Sequence, residues 1–180
     1  MRFLNLLAPV LTLASCVVVL AQSPTYDLGR TPSEKEILAW DIAVGPEGKE
    51  LPAGSGTAQE GEALYARKCA ACHGPTGTEG KAPRLVGRQT RTVGSYWPFA
   101  TSIWDYINRA MPIYQEGSLS ADEVYALTAF LLFKNAIIQE SDAMDAESLP
   151  KIQMPNRNGY QPPPVSEWKP GMRRPFQIIP

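Results

Sequence analysis

The chain has 180 residues, 44% of them apolar and 19% charged, and a formal net charge of −1. That is enough for one domain with a real core and not comfortably enough for two. A near-neutral balance carries no electrostatic footprint for nucleic acid or for an anionic membrane surface.

In chain order, residues 1–21 read as an export signal. Arg2 supplies a positive start, residues 3–20 are almost wholly apolar, and Val19-Leu20-Ala21 offers a small-residue cleavage site before Gln22. Cleavage there is the favoured reading, and two others stay open. Leu13-Ala14-Ser15-Cys16 resembles a lipoprotein processing site with Cys16 lipidated, although apolar residues follow it where polar ones are usual. The run is also about long enough to span a bilayer if it is retained. In every case the rest of the chain crosses a membrane, so a periplasmic location is expected. Membrane attachment is expected only if the signal is lipidated or uncleaved.

Residues 22–55 form an N-terminal arm. Thr31-Pro32-Ser33-Glu34 opens a short helix, with Thr31 as cap and Pro32 at the first helical position. Gly45-Pro46-Glu47-Gly48 and Pro52-Ala53-Gly54 are turn signals. The arm has too few apolar residues to fold alone and is expected to lie on the domain or on a partner.

Residues 56–140 are read as the folded domain. Thr57-Ala58-Gln59-Glu60 is a capping box. The helix it opens runs to about Lys68, with Gly61, Leu64 and Tyr65 on one face. Cys69-Ala70-Ala71-Cys72-His73 follows directly. Residues 74–94 are a loop rich in Gly and Pro that carries Lys81, Arg84, Arg88 and Arg91. A second helix is predicted from about Ser102 to Ala110, with Ile103, Tyr106 and Ile107 on one face. Met111-Pro112 stops it, because proline disfavours helix at the preceding residue. A third helix starts at a second capping box, Ser120-Ala121-Asp122-Glu123, with Leu119 and Val124 as its hydrophobic staple, and runs to about Asn135. Residues 141–180 form a tail. Its proline density, from Pro150 to Pro180, forbids long helices and favours extended chain.

The chemistry concentrates at residues 69–73. Beyond the signal, Cys69 and Cys72 are the only cysteines, and His73 is the only histidine in the sequence. Two thiols three positions apart can add to the two vinyl groups of one haem, and the adjacent histidine then becomes the proximal iron ligand. Competing readings run short of residues. A structural zinc site needs four ligands, usually cysteine or histidine, so carboxylates would have to complete it. A thioredoxin-like pair sits at the start of a helix after a strand, whereas this pair ends a helix with no βαβ pattern around it. A plain disulfide across two residues would be strained. One covalently bound haem c is therefore expected.

A single histidine rules out bis-histidine ligation within the chain, and methionine is the common alternative. The candidates are Met111, Met144, Met154 and Met172. Met111, between the second and third helices, is favoured, and Met154, which also precedes a proline, comes second. An open site or an outside ligand remains. The metal ligands are thus read as His73 and Met111.

Residues 57–135 resemble a class I cytochrome c domain: helix, CxxCH, loop, helix, Met-Pro, helix. The resemblance implies an all-α fold of three main helices around one haem, with an irregular N-terminal arm and a Pro-rich C-terminal tail. It implies that the first and last helices cross through Gly61, Tyr65, Tyr125 and Phe130. It further implies that the Pro83 carbonyl supports His73 and that Leu85 packs on the ring. Arg88, Arg91, Tyr96 and Trp97 are residue types that hold propionates, with solvated surface an equal reading for the arginines.

A His/Met iron leaves no position for substrate, so its default use is electron transfer. No catalytic set is found elsewhere, and Asp122 and Glu123 read as helix capping. Outside the core, Leu38-Ala39-Trp40-Asp41-Ile42 with Gly45-Pro46-Glu47-Gly48, Thr92-Val93-Gly94-Ser95-Tyr96-Trp97-Pro98 and Met154-Pro155-Asn156-Arg157-Asn158-Gly159-Tyr160 occur together. This combination, over about residues 28–160, is similar to the cytochrome subunit of bacterial sulfite or sulfur dehydrogenases of the sulfur-oxidation type. The chain departs from two-haem members in having one CxxCH. The resemblance implies a molybdenum-cofactor subunit as electron donor and a small cytochrome c or terminal oxidase as acceptor. The alternatives are a free-standing periplasmic shuttle, and a haem enzyme or sensor whose Met111 dissociates. Residues 161–180 have no counterpart and read equally as a docking arm or a disordered tail.

Overall fold

The computed structural model describes residues 28–89 and 91–160. The export signal with Cys16, the first residues of the arm, Met172 and the Pro-rich end lie outside the described residues. The chain divides into two units, Met1–Asp41 and Ile42–Pro180.

In the first unit, helix α1 spans Glu34–Trp40. Its cap is Ser33 rather than the expected Thr31. Glu36 decides the register: its carboxylate accepts from the Ser33 N–H at 2.9 Å and the Ser33 hydroxyl at 2.8 Å, and it pairs with Arg30. The result is a complete capping box one step along the chain from proline.

The second unit opens with strand β1 (Ser55–Thr57) and helix α2 (Ala58–Lys68), followed by the short helix α3 (Ala70–His73). Helices α4 (Ala100–Ala110) and α5 (Ala121–Lys134) complete the helical framework. Thr57 and Ser120 cap α2 and α5 through the boxes read from the sequence. Leu119 and Val124 are both buried, as a staple requires. Helix α4 begins earlier than the predicted Ser102. Phe99 supplies no side-chain cap there; instead Ala100 and Thr101 are buried, and packing holds the first turn.

Helix α5 is the core helix, with every residue from 124 to 132 buried. Helix α2 packs across it. Gly61 permits the close approach: a Cβ there would run into the Ala126 carbonyl and the Phe130 Cβ. The Tyr65 and Phe130 rings meet at 4.9 Å, and Trp104 of α4 lies 5.5 Å from Tyr125.

Two stretches expected at the periphery belong to this unit. The Val44 N–H donates to Asp105 at 2.9 Å, Leu51 is in the core, and the Tyr125 hydroxyl donates to the Pro52 carbonyl at 2.9 Å. A boundary at residue 55 therefore falls inside folded structure. Beyond α5, strand β2 (Ala143–Asp145) pairs antiparallel with β1, Gly56 opposite Met144, and a 3-10 turn follows at Leu149–Lys151. Met144, Leu149 and Met154 are buried. The Asn156 amide donates to the Tyr96 carbonyl at 2.7 Å, the Arg157 guanidinium lies 4.4 Å over Phe99, and Tyr160 meets Tyr96 at 5.5 Å. The proline pattern correctly forbids long helix here, but the interspersed apolar residues pin the chain to the domain as far as Tyr160. Apart from the two-stranded ladder, the regular structure of the described residues is helical. No described helix is long and apolar enough to cross a membrane.

Candidate haem-attachment site

Helix α2 runs straight into the cysteine motif. Cys69 is its C-cap, donating its N–H to the Tyr65 carbonyl at 2.9 Å, and it is also the N-cap of α3. The amides of Cys72 and His73 both donate to the Cys69 carbonyl, at 3.1 and 3.0 Å. Residues three and four apart on a helical turn share a face, so Cys69, Cys72 and His73 project together. Both cysteines are free thiols. Burial pushes the Cys69 thiol up to about 11, so it is protonated at neutral pH. That is the opposite of the lowered pKa that drives thiol–disulfide exchange.

His73 Nδ1 lies 2.9 Å from the Pro83 carbonyl oxygen. A carbonyl only accepts, so Nδ1 carries the proton, and in the neutral form of the ring the lone pair is then on Nε2. This is the tautomer a metal ligand needs, oriented by a backbone acceptor. The loop carrying Pro83 is tied back at both ends: Ala82 N–H donates to the Cys72 carbonyl at 2.9 Å, and Leu85 N–H to the Gly77 carbonyl at 2.8 Å. Gly80 presses on the Cys72–His73 backbone, where a Cβ would strike the Cys72 carbonyl. The Tyr65 hydroxyl donates to the Gly74 carbonyl at 2.9 Å, and burial raises it to about 12, so it remains a donor throughout the neutral range.

Glu79 stiffens the same loop. Its carboxylate accepts from the hydroxyls and backbone N–H groups of Thr76 and Thr78. Those bonds, the Thr76 hydroxyl foremost, hold its pKa at about 2 instead of the ordinary 4.5. A carboxyl lowered on folding stabilises the fold above its unfolded pKa, and that contribution is lost as pH falls through the folded value. The loop is therefore expected to loosen between pH 4.5 and about 2, seen as faster exchange of the Thr76 and Thr78 amides. Glu79→Gln should show the loosened loop already at neutral pH. Unchanged amide protection in that variant would remove Glu79 from this role.

Cys69, Ala70, Leu85, Trp97 and Met111 are partly buried and border the core. Met111 caps the C-terminus of α4 in extended conformation, and its bond to Pro112 is cis. Met144 and Met154 are each only 3% exposed, so protein already surrounds their thioethers. Of the residue types suited to propionates, Arg88 and Arg91 are exposed, and Arg91 lies 5.3 Å over the Tyr96 ring. Trp97 meets Tyr106 edge-on at 5.6 Å. Sequence reading missed Glu79 and Asn135. Asn135 is a buried side chain that bonds to the backbone of Leu85 and Gly87. Its only sequence signal is its position at the end of an apolar helix.

Residues 56–131 match the family described as cytochrome C oxidase, cbb3-type, subunit III. Among solved structures, the chain is similar to a chain in the crystal structure of the sulfane dehydrogenase SoxCD from Paracoccus pantotrophus. The two are 37% identical with a TM-score of 0.69, over 79% of this chain and 75% of that one. No curated protein matches the chain in sequence.

Proposed function

This chain belongs to the class I c-type cytochromes, and from that premise we propose that it is the electron-transfer subunit of a sulfite or sulfur dehydrogenase complex. One haem c would be held by thioether bonds from Cys69 and Cys72, with His73 and Met111 supplying the ligands to its iron. The chain takes electrons from a molybdenum-cofactor subunit and passes them to a small cytochrome c or a terminal oxidase in the periplasm.

The hydrogen bond from His73 Nδ1 to the Pro83 carbonyl carries the ligand assignment, because it selects the tautomer whose lone pair is on Nε2, beside two free thiols on one helical turn. Leu85, Trp97, Ala70 and Met111 are only partly buried, and an apolar group held against them would complete their burial. When bound, haem c supplies a one-electron ferric/ferrous couple. The chain does the rest. Cys69 and Cys72 would hold the group through thioether bonds to its vinyl carbons. The Pro83 carbonyl orients the imidazole and raises its basicity. The Met111 thioether raises the potential.

The partner reading is supported by similarity to the SoxCD structure over 79% of the chain. That is a longer stretch than residues 56–131 and so takes in flanking segments. Export is supported by the apolar run at residues 3–20. The test is purification of the full chain from its native host under mild conditions. Co-elution with a molybdenum protein at constant ratio, and haem reduction on adding sulfite or a sulfane donor, are expected. A haem protein eluting as a monomer without molybdenum would overturn the subunit reading and leave a free shuttle.

A further inference from the structure

We propose that Asn135 is a positioning residue which, acting through Leu85 and Gly87, holds the Pro83 carbonyl against His73 and thereby sets the reduction potential. The proposal rests on the His73 assignment made above.

Asn135 is 5% exposed at the C-cap of α5. Its amide nitrogen donates to the Leu131 carbonyl at 2.8 Å and to the Leu85 carbonyl at 3.1 Å. Its amide oxygen accepts from the Gly87 N–H at 3.0 Å. A cap needs only the bond to Leu131. The other two grip a carbonyl and an N–H two residues apart on one side of the loop, the contact a neighbouring strand would make. One side chain thus adds a strand-like contact to a loop whose Leu85 carbonyl also accepts from the Val93 N–H at 3.1 Å and whose Leu85 N–H donates to Gly77 at 2.8 Å.

Pro83 lies between two anchors. On one side the Ala82 N–H is bonded to the Cys72 carbonyl, inside the haem motif itself. On the other side, Asn135 bonds both Leu85 and Gly87 and so joins the separate bonds that Val93 and Gly77 make to Leu85 and Thr92 makes to the Gly87 carbonyl. The link to Leu85 is short, because Arg84 alone separates it from Pro83, and on the Ala82 side proline fixes its own φ and restricts the residue before it. A shift at residues 85–87 is therefore passed to the Pro83 carbonyl rather than absorbed. That carbonyl accepts the hydrogen bond from the His73 Nδ1–H. A firm bond there makes the imidazole a more basic ligand, which favours the ferric state and lowers the potential. Loosening the anchor weakens that bond and raises the potential.

The test compares the haem-loaded full chain with Asn135→Ser, Asn135→Ala and a control, Thr128→Val. Thr128 is also fully buried on α5, but its hydroxyl bonds to the Val124 carbonyl at 2.7 Å within the helix. The Asn135 variants are expected to raise the potential by about three- to tenfold in the reduction equilibrium constant, roughly 30 to 59 mV for one electron. The His73 Nδ1 proton should exchange faster in them, with the methionine–iron absorption band retained. Thr128→Val should lose stability and leave potential and exchange at wild-type values. Unmoved potential and exchange in either folded Asn135 variant overturns the proposal, as does an equal shift in Thr128→Val. If neither Asn135 variant loads haem, hydrogen exchange on the wild type decides. Matched exchange of the Gly87 amide and the His73 Nδ1 proton supports the link, and independent exchange overturns it. A wild-type chain with no haem, or with no histidine on the iron, overturns both this proposal and the assignment beneath it. Normal wild-type spectra with unmoved variants overturn this proposal alone.

Discussion

Gly61→Val is expected to destabilise the domain severely. The added Cβ would fall on the carbonyl of Ala126 and the Cβ of Phe130. A crowded side chain can turn away, but a carbonyl in the middle of a helix cannot. Helix α5 cannot yield as a body either, since residues 124–132 are buried along its length. Overpacking in cores typically costs about 1–3 kcal/mol. With backbone as the obstacle, about 3 kcal/mol or more is expected, a large share of the roughly 5–15 kcal/mol that separates folded from unfolded domains. Denaturant titration of the haem-loaded protein reads this directly, with Ala63→Val on the exposed face of the same helix as the control for β-branching. Equal midpoints for the two variants would mean that α2 and α5 do not cross at Gly61.

Met111→Ala is expected to leave the protein folded and to remove the far-red methionine–iron absorption band of the ferric form. Met111 is only partly buried at the rim of the core, so truncation opens no closed cavity. Axial ligands set haem potentials over about 0.8 V, and methionine lies towards the high end. The potential is therefore expected to fall by on the order of 0.1–0.3 V. Retention of the band in Met111→Ala, with its loss in Met154→Ala, would move the ligand to Met154 despite its near-complete burial. A wild-type protein lacking the band would point to an open iron and to ligand binding or catalysis instead of electron transfer alone.

The parts of this protein that are legible from sequence are those whose cause is local. A capping box is complete within four residues, so Thr57 with Glu60 and Ser120 with Glu123 could be read directly. Met111-Pro112 stops a helix through the sterics of one bond. The haem motif places its thiols and imidazole within five residues, so their common face follows from helical spacing alone. Where two local solutions compete, sequence reading is weaker. Thr31 and Ser33 are both cap residues followed three positions later by glutamate, and the choice fell to Glu36 because it is already bonded to Ser33 and Arg30.

Tertiary structure alone decided what the periphery does. Proline density made residues 141–160 non-helical, yet nothing local says that Met144, Leu149 and Met154 find core surface or that β2 pairs with a strand before the first core helix. The same holds for Asn135 and Leu85, fifty residues apart. Their bond exists only because α5 and the loop after the haem motif close on each other. By itself the sequence determined the chemistry: one histidine, two usable thiols and a methionine before proline allow little other than a haem held for electron transfer. The tertiary structure determined how firmly that chemistry is held, because support for the His73 imidazole comes from a carbonyl ten residues away, on a loop anchored from a distant helix.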